Sequence, residues 1–426
     1  MSRLIIQGGR RLSGRLRAAG NKNAVLPMLA ASVLTDQPLT LTNVPLIEDV
    51  RTTLAILNEL GVDVSLRGNT VRVCAAGLRG TRLSPELCRR VRASILFAGP
   101  MAARHGQATV FSPGGDVIGR RRLDTHVEGL RQLGISVTNS DGYTFRRRRL
   151  HGARILLDEA SVTATENVIM AAALAPGATT VFNAACEPHV QDLCVLLNKM
   201  GARISGVGTN YVRIEGVDSL HGATHRVAPD YIDSVSFMAA AAITGGELYM
   251  EDSPAEQLDV IARPLRKLGI AWRIESGVLH LPADQKLSVQ NDYGAAIPKI
   301  EDGVWPSYPS DLMSVTIVLA TQARGTMLFF EKLFESRMYF VDRLIDMGAR
   351  IVQCDPHRVI TSGPSRLHGT HLSSPDIRAG MALLLAALCA KGESTIDNAQ
   401  VIDRGYERIE HKLRGLGADI VRRKQA

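Results

Sequence analysis

The chain has 426 residues, 45% hydrophobic and 22% charged, and no apolar run long enough to span a bilayer. That length exceeds one simple core and implies two domains of about 200 residues each. A net charge of +8 suits an anionic partner, but aromatics are only 4% and the basic residues are scattered apart from Arg146–Arg149 and Arg422-Arg423-Lys424, which argues against a nucleic-acid groove.

Residues 1–21 carry five arginines and no apolar h-region, so no secretory signal is expected. The six cysteines form no CxxC pair and sit mostly in apolar surroundings, as free thiols do in a reducing cytosol. A cytoplasmic chain, neither membrane-bound nor bound to nucleic acid, acting as a monomer, is the expectation.

The first predicted strand, Arg3–Gln7, has no partner nearby and must pair elsewhere. From Asn21 onward one unit recurs. Ala-rich apolar segments appear as AVLPMLAASVL, SILFAGPMAA, NVIMAAALA, SVSFMAAAAI, LMSVTIVLA and GMALLLAALC. They are apolar on nearly every side, which predicts helices buried inside a ring. Each leads into an alternating strand: QPLTLTNV, GQATVFSP, GATTVFNA, GGELYMED, RGTMLFFE and KGESTIDN. A second helix then ends at Leu-Gly or Met-Gly, with glycines at 61, 134, 201, 269, 348 and 417, where a left-handed residue closes a helix cheaply. The period is about 70 residues. Six such repeats predict an α/β protein of two similar halves, residues 22–228 in one and 1–21 with 229–426 in the other.

The residues that enter the buried helices carry chemistry: Asn21-Lys22-Asn23, Arg92-Ala93-Ser94, Thr163-Ala164-Thr165, Asp230–Asp233, Ser310-Asp311 and Asp376-Ile377-Arg378. Helix N-termini favour anions. Loops into the second helices add Phe334-Glu335-Ser336-Arg337 and Ile402-Asp403-Arg404-Gly405-Tyr406. Any single arginine here reads as a surface ion pair. Five cations at equivalent repeat edges (Lys22, Arg121, Arg337, Arg378, Arg404) instead predict a cleft between the halves for a doubly anionic ligand. The stretch FSPGGDVIGRRR (111–122) sets one carboxylate, Asp116, between a Gly-Gly turn and three arginines. It is an ion pair or a proton carrier facing an anion.

These segments, with GNKNAVLPMLAASVL, SPGGD, PSDLM, FESRMYFVDRLIDMGA and VIDRGYERIEHKLRGLGA, resemble the UDP-N-acetylglucosamine enolpyruvyl transferases (1-carboxyvinyltransferases) from Leu4 to about Val421. The resemblance implies a pair of inside-out α/β barrels and the first committed step of peptidoglycan synthesis. Phosphoenolpyruvate would join the 3′-hydroxyl of UDP-N-acetylglucosamine with release of phosphate, without metal or organic cofactor. It further implies that Lys22 and Asn23 contact the substrates, and that Arg121 and Arg404 clamp phosphate and carboxylate with Arg337 and Arg378 nearby. Asp311 would be the base, and Arg92, Asp124, His126, Ser161, Val162, Thr163 and Leu333 would form the nucleotide-sugar pocket. Taken alone, His126 reads as a partly buried, satisfied histidine.

Asp116 departs from the cysteine that most members use to protonate carbon 3 of phosphoenolpyruvate. A minority carry aspartate there, so Asp116 is expected to be a working general acid, and tolerance of the epoxide fosfomycin, which alkylates that cysteine, is expected too. Arg122 in place of a proline, and Glu159 and Tyr231 in place of basic residues, lie on the acceptor side. They leave a different nucleotide sugar or nucleoside as the alternative acceptor. A silent binding protein would have lost Lys22, Asp311 or Arg404, and all three are present.

Overall fold

Each repeat closes on a small sheet. The computed structural model describes residues 2–116 and 118–424. Among them are five four-stranded sheets and one three-stranded sheet. The common plan mixes one parallel pair with antiparallel neighbours: Leu39–Thr42 runs parallel to Thr224–Arg226 and antiparallel to Thr70–Cys74, which pairs with Asp63–Arg67. The exception is Gln107–Val110, Tyr143–Arg147 and Ile135–Asn139, where a bridge from Arg82 to Thr109 stands in place of the fourth strand.

The chain divides into two compact units. One is Gly20–Gly115 with Arg121–Ala228, and the other is Met1–Ala19 with Asp116–Arg120 and Pro229–Ala426. Each has its own hydrophobic core. In the first unit the helices Lys22–Ala31, Ala98–His105 and Val162–Ala172 lie inside the sheets. In the second, Tyr231–Ile243, Met313–Gln322 and Ile377–Cys389 pack on one another, with Ile377 through Leu388 buried without a break. Alanine at so many of these positions lets helix axes approach, and burial of the larger side chains drives the assembly.

All six Leu-Gly and Met-Gly glycines hold positive φ, from 84° to 101° across Gly61, Gly134, Gly201, Gly269, Gly348 and Gly417. The strand Ser2–Gln7 finds its partners at the far end of the chain, lying antiparallel between Glu393–Asp397 and Asp419–Lys424. Gly14–Arg17 joins Leu248–Glu251 in parallel. Of the cysteines, Cys88 and Cys194 are buried, whereas Cys354 is exposed. No helix among the described residues is long and apolar enough to cross a membrane.

Candidate active site

The glycines of SPGGD are demanded by geometry. A Cβ on Gly114 would lie 1.7 Å from the Arg89 carbonyl oxygen, and Gly115 has φ +108°. Beyond this turn, Asp116–Arg120 packs with the second unit rather than with the residues preceding it in sequence. Ser336 N–H donates to the Ile118 carbonyl, Arg120 N–H to Glu335 Oε2, and Arg404 Nη1 to Asp116 Oδ1 at 2.6 Å. Within that unit Asp116 is ion-paired to an arginine 288 residues away in sequence.

Around Asp311 the second unit builds a cradle. Arg337 Nη2 donates to Asp311 Oδ1 at 3.1 Å and Arg378 Nη2 to Oδ2 at 2.8 Å. Both arginines are almost wholly buried, while Asp311 keeps 28% of its side chain exposed. Burial alone would disfavour the Arg378 charge, but Asp311, Tyr406 and Asp230 outweigh it. Arg378 also lies over the Tyr406 ring and donates to its hydroxyl, which shares a hydrogen bond with Ser236. The arrangement is one half-open carboxylate held by two fixed guanidiniums. Leu333 is 43% exposed on the same unit.

The DRGYERIE segment is pinned by one residue of the last strand. Arg422 makes paired hydrogen bonds to both oxygens of Asp403 (2.8 and 2.7 Å) and both of Glu410 (2.9 Å each), the acids that flank Arg404. Arg422→Ala leaves two partly buried carboxylates without their cation. It is expected to cost about 2 kcal/mol, less than a fully buried pair because the groups are a tenth to a third exposed. A fall in Tm together with lower turnover checks this, and an unchanged Tm contradicts it.

In the first unit, Lys22 Nζ lies 2.9 Å from Asp49 Oδ2, both nearly buried. The Asn21 side chain accepts from the Asn23 and Ala24 N–H groups and so starts the helix. Arg92 donates through Nη2 to the Arg121 carbonyl at 2.6 Å, organising the backbone that carries Arg121. Burial, with Arg121 adding, lowers the Arg92 pKa to about 10. Asp124 opens the helix Asp124–Gln132 on the surface, clasped by Arg122 at 2.7 and 2.8 Å. Ser161 precedes the helix that begins at Val162, and its side chain makes no cap.

His126 is a fully satisfied buried histidine. Asn167 accepts Gly99 N–H at Oδ1 and donates from Nδ2 to the Ile95 carbonyl and His126 Nδ1, which leaves His126 Nε2–H to donate to Thr163 Oγ1 at 3.1 Å. Burial pushes its pKa down to about 3, with Arg92 adding to the effect. This stabilises the fold above the ordinary value of 6.5, and the contribution is lost as pH falls from there toward 3. His126→Gln is therefore expected to show a shallower fall in Tm between pH 7 and pH 4 than the parent, and parallel curves would contradict it.

One expectation needs correction. The buried-helix N-termini do not offer free N–H groups to a ligand at every site, because Asp230 accepts from Ile232 and Asp233, and Asp376 accepts from Arg378 and Ala379. Tyr231 is a buried ring tilted against Trp305 at 5.9 Å. Sequence reasoning also missed Asp49, Arg422 and Tyr406 as partners of site residues.

The chain belongs to the EPSP synthase (3-phosphoshikimate 1-carboxyvinyltransferase) family, whose model matches residues 6–413. More particularly, it is 53% identical to a UDP-N-acetylglucosamine 1-carboxyvinyltransferase of Bradyrhizobium diazoefficiens, over 98% of this chain and 97% of the relative. It is 51% identical to that of Treponema denticola over 99% of both. Among solved structures, the enolpyruvyl transferase NikO from Streptomyces tendae shares the fold with a TM-score of 0.87 at 23% identity, covering 100% of this chain and 99% of that one. EPSP synthase from Acinetobacter baumannii follows at 0.76 and 18%, with both chains fully covered.

Proposed function

We propose that the protein transfers the enolpyruvyl group of phosphoenolpyruvate to the 3′-hydroxyl of UDP-N-acetylglucosamine and releases phosphate, the first committed step of peptidoglycan synthesis in the cytoplasm. The observation that carries the reading is Asp311, a half-open carboxylate between two buried arginines in a chain about half identical to enzymes of that name.

Asp311 takes the 3′-hydroxyl proton as the oxygen attacks carbon 2, and Asp116 gives a proton to carbon 3. The Asp116 carboxylate then takes a carbon-3 proton from the tetrahedral adduct, the carbon 2–phosphate oxygen bond breaks, and phosphate leaves with the proton held by Asp311. Arg404, Arg337, Arg378, Lys22 and Arg121 serve the phosphate and carboxylate of phosphoenolpyruvate. Asn23, Arg92, Asp124, His126, Ser161, Val162, Thr163 and Leu333 serve the sugar nucleotide. Here His126 acts as a neutral donor that sets the Thr163 hydroxyl. Positioning and preorganised charge supply the barrier reduction.

Phosphate release measured with phosphoenolpyruvate and a panel of acceptors tests the reading. Release with UDP-N-acetylglucosamine alone supports it. Equal or faster release with another nucleotide sugar would transfer the activity to that acceptor.

A further inference from the structure

Behind Asp311 lies a second pair of acids. Glu331 and Asp302 are both wholly buried. Glu331 accepts the Ser310 hydroxyl at 2.8 and 2.9 Å, one residue before Asp311. It also accepts Phe334 N–H at 3.2 Å, at the start of the turn that carries Arg337. Asp302 Oδ1 accepts Lys332 N–H.

The charges do not balance if both acids are ionised. Arg378 is engaged with Asp311, and Arg337 donates to Asp311 while its Nε stays 3.8 Å from Glu331 and makes no hydrogen bond. His357 reaches only the Glu331 backbone carbonyl. Two adjacent buried carboxylates sharing one guanidinium that Asp311 already engages would be costly. A proton on Glu331 removes that cost and supplies a donor to Asp302 Oδ2, which otherwise has none among the described residues.

We infer that Glu331 is a positioning residue for the reaction, acting as a neutral carboxyl that shares its proton with Asp302 and ties Ser310 to the Arg337 turn, so that Asp311 is fixed against Arg337. The inference rests on Asp311 being the base. In agreement, burial first, then Asp302, pushes the Glu331 pKa up to about 9, against the pull of Arg337.

The test is phosphate release from phosphoenolpyruvate and UDP-N-acetylglucosamine by the intact enzyme between pH 7 and 10, for the parent, Glu331→Gln, Glu331→Ala and Asp311→Asn. An amide reproduces the protonated acid, so Glu331→Gln is expected within about threefold of the parent kcat at pH 7. It should also hold its rate above pH 9, where the parent declines. Glu331→Ala frees both tethers and is expected to lose roughly 10²-fold in kcat with a smaller change in KM. A Glu331→Gln as impaired as Glu331→Ala, or pH profiles of parent and Glu331→Gln that superimpose, would overturn the inference while leaving Asp311 intact. The Glu331→Gln profile decides the matter even if Glu331→Ala does not fold. Full activity of Asp311→Asn would instead overturn the reading of Asp311, and the inference with it.

Discussion

Asp116→Asn is expected to lose roughly 10²–10⁴-fold in turnover at neutral pH, the range that general acid catalysis contributes, while sugar-nucleotide binding measured by calorimetry stays close to that of the parent. The amide keeps the shape of the side chain and can still meet Arg404, but it has no proton to give carbon 3. The 2.6 Å pair with Arg404 gives the prediction a second edge. Arg404 is also proposed to bind the substrate anion, so a phosphoenolpyruvate that takes over the guanidinium frees the Asp116 carboxylate, which takes up a proton from solvent and then gives it to carbon 3. Near-full turnover of Asp116→Asn would remove Asp116 from the chemistry.

Fosfomycin is expected to leave the enzyme active on prolonged incubation, with no mass added to residues 112–122. Epoxide opening at this loop needs a strong soft nucleophile such as a thiolate. None of the six cysteines of this chain lies in the loop. Asp116→Cys places a thiol on the same turn, next to Arg404, and is expected to become sensitive, with a covalent adduct on that peptide. Time-dependent inactivation of the parent with a mass shift in the loop would contradict the account.

Much of this was legible in sequence because the repeats impose it. Helices buried on all sides must be apolar on all sides, and a helix that turns sharply into a strand needs glycine at its end, so both signals recur at a fixed spacing. Lys22, Arg121, Arg337, Arg378 and Arg404 fall at equivalent edges of the repeat in sequence, so they could be picked out together as candidates. What was not legible depends on contacts between elements distant in sequence. Asp49 looks like any first-turn acid of an amphipathic helix until Lys22 is seen beside it. Glu331 reads as the polar end of a strand, and only the approach of Ser310 and Asp302 makes it a buried acid. The partner of Asp116 was equally hidden: three arginines follow it in sequence, and the one it meets is Arg404.

The most direct test of the central claim is a reaction in heavy water with phosphoenolpyruvate and UDP-N-acetylglucosamine, analysed by mass spectrometry and phosphate assay. The account predicts stoichiometric phosphate and a sugar nucleotide heavier by one enolpyruvyl group, deuterated at its vinyl carbon by the parent enzyme and scarcely formed by Asp116→Asn. Phosphate without that product, or a vinyl group free of deuterium, would contradict it.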